Sequence, residues 1–108
     1  MRGGWVASEQ RREPRTAFDG WVELRVNGGH RLASARDLAR GGIGIEVQGD
    51  ALALRDAVVC EFALPGISLP LELEGAVAWS SGRRAGVRFE SVDPGLSELL
   101  ENHVAGRL

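Results

Sequence analysis

The chain has 108 residues, 44% of them hydrophobic and 26% charged, with a formal net charge of −2 at pH 7. A chain of this length is expected to form one domain and to bury roughly 65% of its extended surface without a disulfide; Cys60 is its only cysteine. The N-terminus "MRGGWVASEQ" lacks the apolar run of a signal peptide, and uncharged stretches such as "FALPGISLPL" are too short to cross a bilayer, so a cytoplasmic protein without membrane insertion is expected.

The charge is unevenly placed. All 13 cationic residues are arginine; the first forty residues carry a net +3 and the remainder a net −5. A nucleic-acid-binding domain is ordinarily basic over more of its surface, so no nucleic-acid partner is expected and a small anion fits better. Every cation is a planar fork suited to phosphate or to a guanine edge.

In chain order, "SEQRREPRTAFDGW" sets Arg11, Arg12 and Arg15 within five positions, with no strand alternation and with Pro14 barring a helix. Residues 1–20 therefore read as a flexible N-terminal arm and 21–108 as the folded unit. In "WVELRV" Val22, Leu24 and Val26 share one face, "NGG" at 27–29 signals a tight turn, and "RLASARDL" returns as a second strand. "GGIGIEV" follows, with Ile43, Ile45 and Val47 in phase. After a looser segment, "AVVCEFALP" directs Val58, Cys60, Phe62 and Leu64 inward, which makes Cys60 core filling.

"LPLELEGAVAW" predicts a long fifth strand with Leu69, Leu71, Leu73, Gly75, Val77 and Trp79 on the inner face, Glu72 and Glu74 outside, and a bend or bulge at Gly75. "SSGR" turns into "AGVRFE", whose Val87 and Phe89 point inward. Then the period changes: Asp93 is a good N-cap, Pro94 suits the first helical position, and Leu96, Leu99, Leu100 and Val104 follow helical spacing. Six strands and a terminal helix predict a mainly β protein, a six-stranded antiparallel β-barrel with a C-terminal α-helix.

Catalytic arrangements are not found. His30, placed in a turn, and His103, on the helix, have no cysteine or carboxylate at ligand spacing and read as surface residues, so neither a metal nor a catalytic role is expected. Ser80-Ser81 lies outside any nucleophile-elbow pattern, and "GGIGIEV" lacks the third glycine and the following helix of a dinucleotide loop.

"RREPR" at 11–15, followed after one strand and one hairpin by "DLARGG" at 37–42, resembles the paired RxxxR and (D/N)xSxxG motifs of the PilZ domain family. Arg11 and Arg15 fall on the first motif, Asp37 and Gly42 on the second, and the resemblance runs from about residue 9 to 105 through "AVAW", "AGVRFESVD" and the helix. It implies a six-stranded barrel that binds the bacterial second messenger cyclic di-GMP, with no other cofactor. Arg12, Arg40 and Gly41 are lesser candidates for the same site. The motif serine is Ala39 here; losing one neutral hydrogen bond costs about 0.5–1.5 kcal/mol, so weaker binding is expected, not none.

The chemistry suits such a ligand. Guanidinium groups donate bidentately to phosphate or to guanine O6 and N7 and lie flat on a base. Asp37 can accept from guanine N1–H and N2–H₂, and Gly41-Gly42 let a ligand approach the backbone. The plain alternatives are a solvated arm, a surface pair between Asp37 and Arg36, and ordinary turn glycines. With no output domain expected, the signal would pass to a separate, unidentified protein effector. The alternative is a degenerate PilZ adaptor that binds a protein partner without nucleotide. A barrel binding single strands would need stacking aromatics on a basic face, and the chain has no tyrosine.

Overall fold

The computed structural model describes residues 15–67 and 69–105; Arg11 and Arg12 lie outside them. Six strands, β1 (Arg15–Val26), β2 (Gly29–Ala39), β3 (Gly42–Val47), β4 (Ala57–Phe62), β5 (Leu71–Ser81) and β6 (Arg84–Phe89), precede one helix, α1 (Pro94–Val104). The strands close into a barrel in the order β1-β2-β3-β6-β5-β4, every neighbouring pair antiparallel. Closure gives every strand a neighbour on each side, with β1 meeting β4 only over residues 23–26.

The alternating apolar residues form the interior as the sequence predicts. Val22, Leu24, Ile43, Ile45, Val58, Cys60 and Val87 are all at most 2% exposed. Asn27 and Gly28 both adopt positive φ, 53° and 76°, which matches the twist a two-residue hairpin needs between β1 and β2. Burial pushes the Cys60 thiol up to about 12, in keeping with an inert core residue.

Four details of the strands and helix differ from the sequence expectation, besides those of the outward face described below. Strand β1 begins at Arg15, so residues 15–20, assigned to the arm, are strand: Arg15, Thr16 and Ala17 pair with Ala39, Leu38 and Asp37. Backbone pairing holds them there without apolar alternation. Leu69 is 73% exposed because β5 pairs with β4 only from Leu71 opposite Phe62 onward. The bulge of β5 falls between Val77 and Trp79, not at Gly75. Gly75 instead permits close approach, since a Cβ there would meet the Arg88 carbonyl oxygen.

The fourth difference is His103. It is partly buried on α1, its ring edge-on to Phe18 at 5.6 Å, whereas His30 is exposed as expected but lies in β2. Phe18 also packs on Phe62 at 5.8 Å, and Phe62 stacks with Phe89 at 6.4 Å. With Leu100 fully buried, α1 seals this aromatic end of the barrel. Asp93 caps the helix, its Oδ2 accepting from Gly95 N at 3.1 Å and Leu96 N at 3.3 Å. No helix among the described residues is long and apolar enough to cross a membrane.

Candidate ligand-binding face

Two irregularities in the strands shape one outward face. In β2, Ala33 and Ala35 point inward, and unbroken alternation would carry Asp37 into the core. One extra residue, Arg36, intervenes between the pairs Ala35–Ile45 and Asp37–Gly44, so Asp37 turns outward and Leu38 takes the interior position. In β5 the same device acts at Ala78: Val77 faces the core opposite Val87, and Trp79 pairs with Gly86 on the outer side. This overturns the inward placement of Trp79 expected from its phase.

Two rows of residues then run side by side, one across five strands and one across four. One row is Arg15, Ala39, Gly42, Arg88 and Ala76, each the register partner of the next. The second is Asp37, Gly44, Gly86 and Trp79. Between Arg15 and Asp37 at one side and Arg88 and Trp79 at the other, the floor is three glycines and an alanine. All four are buried, Gly44 beneath Asp37 and Gly86 beneath Trp79, so a flat molecule on this face would lie against those two side chains above a floor of backbone.

The glycines are required by their neighbours. A Cβ on Gly44 would lie 2.8 Å from Asp37 Oδ1, and one on Gly86 would lie 2.6 Å from Trp79 Cδ1. The carboxylate and the indole thus lean inward over adjacent glycines, one strand spacing apart, about 4.8 Å. Trp79 Nε1 is buried without a hydrogen-bond partner among the described residues.

Arg15 Nε and Nη2 donate to Asp37 Oδ1 at 3.1 and 2.6 Å, with 11% of the arginine side chain and 40% of the aspartate side chain exposed. The surface pair between Asp37 and Arg36 does not form: Arg36 approaches Glu46 at 3.4 Å instead. Arg40 lies 3.7 Å from Glu101 of α1, and the Gly41 carbonyl accepts from Phe89 N at 2.8 Å. Ala39 is fully buried yet outside the hydrophobic core cluster, as befits its outward row.

The PilZ domain family matches residues 9–106. The chain belongs to the PilZ domain family. Among solved structures, it superposes on MotI/DgrA, the inhibitor of motility of Bacillus subtilis, with a TM-score of 0.76 at 15% identity, covering 91% of this chain and 50% of that one. It therefore spans half the length of MotI. The PilZ domain of YcgR from Escherichia coli, solved with c-di-GMP, gives 0.73 at 15% identity over 90% of each chain. The PilZ domain of CeSA from a cellulose-synthesizing bacterium gives 0.67 at 19% identity, covering 85% of this chain and 95% of that one. Comparison with curated proteins finds no match.

In this PilZ domain the barrel brings four of the residues singled out from the sequence, Arg15, Asp37, Ala39 and Gly42, onto one face. It turns Arg40 toward the helix and leaves Gly41 in the β2–β3 turn. Sequence reasoning missed Gly44, Gly86, Arg88 and Trp79. The glycines had a signal: in "GGIGIEV" and "AGVRFE" they occupy outward positions that strands ordinarily fill with polar side chains. Trp79 lies in the "AVAW" stretch of the resemblance, but a bulge hides its true phase and alternation assigns it to the core.

Proposed function

We propose that the domain binds cyclic di-GMP on this face as a bacterial, cytoplasmic receptor, acts without catalysis of its own, and passes the signal to a separate partner protein. The observation that carries the proposal is the meeting of Arg15 and Asp37, 22 residues apart in sequence, at the edge of a floor almost without side chains. Arg15 can offer a guanidinium fork to phosphate or guanine and a plane to stack on. Asp37 accepts from the guanine N1–H and N2–H₂ edge, and the Trp79 ring supplies an apolar wall. Gly42 and Ala39 let the sugar-phosphate ring approach the backbone.

Arg11 completes the reading. It stands four residues before Arg15 in the sequence, on the same motif of the family. Binding that engages Arg11 and Arg12 together with Arg15 would alter the surface a partner meets, which is how a ligand becomes a signal. One observation favours a second reading, an adaptor without nucleotide: the motif serine is replaced by Ala39.

Calorimetric titration with cyclic di-GMP, with GMP and cyclic AMP as controls, tests the proposal. Saturable heat with cyclic di-GMP and little with the controls is expected. Absence of binding at millimolar ligand overturns the receptor reading in favour of the adaptor.

A further inference from the structure

A pocket of about 360 Å³ opens directly beyond Arg88, between the loop before β4 and strands β5 and β6. Its walls include Leu54, Arg55, Ala76, Ala78, Arg88 and Glu90. Arg88 and Ala76 are also the last two residues of the floor's outer row, so pocket and floor are continuous. The volume falls in the range of small-ligand sites.

The charged groups of this pocket are uncommitted. Most other described arginines are engaged: Arg15 with Asp37, Arg25 with Glu72, Arg31 with backbone carbonyls, Arg36 with Glu46 and Arg40 near Glu101. Arg55 and Arg88 have no side-chain partner among the described residues, and neither has the Glu90 carboxylate. Arg55 is moreover held in a left-handed conformation, φ 72°, that a non-glycine residue seldom adopts. Its own N–H donates to Val77 O at 2.8 Å, while Asp56 N donates to Ala53 O at 3.1 Å and Asp56 O accepts from Val77 N at 3.0 Å. The loop is pinned to β5 on both sides of Arg55, which aims the side chain at a fixed place.

We propose that this pocket is a guanine subsite. A guanine edge presents donors at N1 and N2 beside acceptors at O6 and N7. Recognising it takes a carboxylate and a guanidinium together, flanked by apolar surface for the ring faces. Glu90 supplies the acceptor, Arg55 and Arg88 the forks, and Leu54, Ala76 and Ala78 the apolar walls. Adenine, with an amino group at C6 and no N1–H, would meet the wrong partner at each point. The inference rests on the cyclic di-GMP reading and adds where a guanine of that ligand lodges.

The test compares wild type, Glu90→Gln and Arg55→Gly by calorimetry with cyclic di-GMP and cyclic di-AMP. Glycine at 55 suits the positive φ, so that variant removes the side chain without strain. Each variant is expected to lose at least about tenfold in affinity for cyclic di-GMP, as removal of a charged hydrogen bond would produce, while melting unliganded no more than a few degrees below wild type. In wild type, the amide resonances of Arg55 and residues 76–78 should shift on adding cyclic di-GMP and not cyclic di-AMP. If wild type binds but both variants stay within twofold of it, the subsite is overturned and the receptor reading stands. If wild type does not bind, the receptor reading falls and the subsite falls with it.

Discussion

Arg15 places two nitrogens, Nε at 3.1 Å and Nη2 at 2.6 Å, on a single oxygen of Asp37, Oδ1. Among the described residues nothing donates to Oδ2. The pair therefore fixes the carboxylate in orientation while leaving it an acceptor on the side away from Arg15. It also gives Arg15 a structural role: the residue lies in a paired strand, not in the arm where sequence alone places it.

The consequence is a dual effect of Arg15→Ala. Loss of the pair should lower unliganded stability by about 1 kcal/mol, as for a partly exposed charged hydrogen bond, or roughly 5 °C in melting temperature. Cyclic di-GMP affinity should fall much further. Arg15→Lys should recover most of the stability but little of the binding, because an ammonium cannot act as a fork or a stacking plane. Melting and titration of both variants separate the two roles; near wild-type binding by the lysine variant at low salt would reduce Arg15 to a source of positive field.

Ala39 permits a gain-of-function experiment. Its register partners are Arg15 and Gly42, and it is fully buried on the outward row. Ala39→Ser places a hydroxyl beside Arg15 at the position of the family serine. Affinity for cyclic di-GMP is expected to rise by up to about tenfold, the worth of one hydrogen bond. Unchanged or weaker binding by titration would mean that the hydroxyl does not reach the ligand.

How far the sequence carries the structure depends on the kind of signal. Period-two alternation locates all six strands, and Asp93-Pro94 locates the helix start, because burial and capping act locally. The face depends on two bulges, at Arg36 and Ala78, and these come from a competition between register and burial that no single residue announces. Asp37 is identifiable despite the bulge because the motif begins at Asp37 itself and does not depend on the phase of the residues before it. Trp79 begins no such motif, and its phase assigns it to the core. The strand from Arg15 to Gly20 escapes notice because Phe18 is its single buried residue, too little to show an alternation, and backbone pairing with β2 supplies the rest.

The Trp79 ring over Gly86 should be movable by one methyl group. A Cβ at Gly86 would lie 2.6 Å from Cδ1 and 2.8 Å from Cε2 of the ring, so Gly86→Ala must lift it. In a proton–nitrogen correlation spectrum one of three indole resonances should shift, and Trp79→Phe identifies which. Cyclic di-GMP binding should weaken in parallel, because the displaced ring narrows the floor. An unmoved indole would show that the ring does not rest on Gly86.

Gly75 should be the least replaceable glycine. An added Cβ would run into the Arg88 carbonyl oxygen and come within 2.8 Å of Val87 Cγ1, both on the facing strand. Gly75→Ala should cost about 1–3 kcal/mol, the range for overpacking a core. Gly66 gives the comparison: its φ of 81° makes alanine strained, but no atom lies within 4 Å, so about 1 kcal/mol is expected there. Chemical denaturation of both variants should rank them in this order, and only Gly75→Ala, which displaces the strand carrying Arg88, should also impair ligand binding.

Cys60 offers a reporter placed away from the site. It is fully buried in the barrel, and burial alone raises its thiol from 9.0 to about 12. The folded state therefore keeps this proton over a range in which the unfolded chain releases it. Stability from this group is fully present below pH 9 and is lost as pH rises from there toward 12, by about 1.4 kcal/mol per pH unit. Cys60→Val, similar in volume and without a proton, should remove that slope. At pH 8 an aromatic disulfide reagent should reach the thiol only through unfolding, so its labelling rate should track global stability. Cyclic di-GMP at 100 times its dissociation constant stabilises the fold by about 2.7 kcal/mol and should slow labelling by roughly a hundredfold when reclosing outpaces the reagent. Because Cys60 faces the core and not the floor, such slowing reports ligand binding through stability and not through shielding. Labelling that is slow but indifferent to cyclic di-GMP would leave the core as described and remove the ligand from the proposed function.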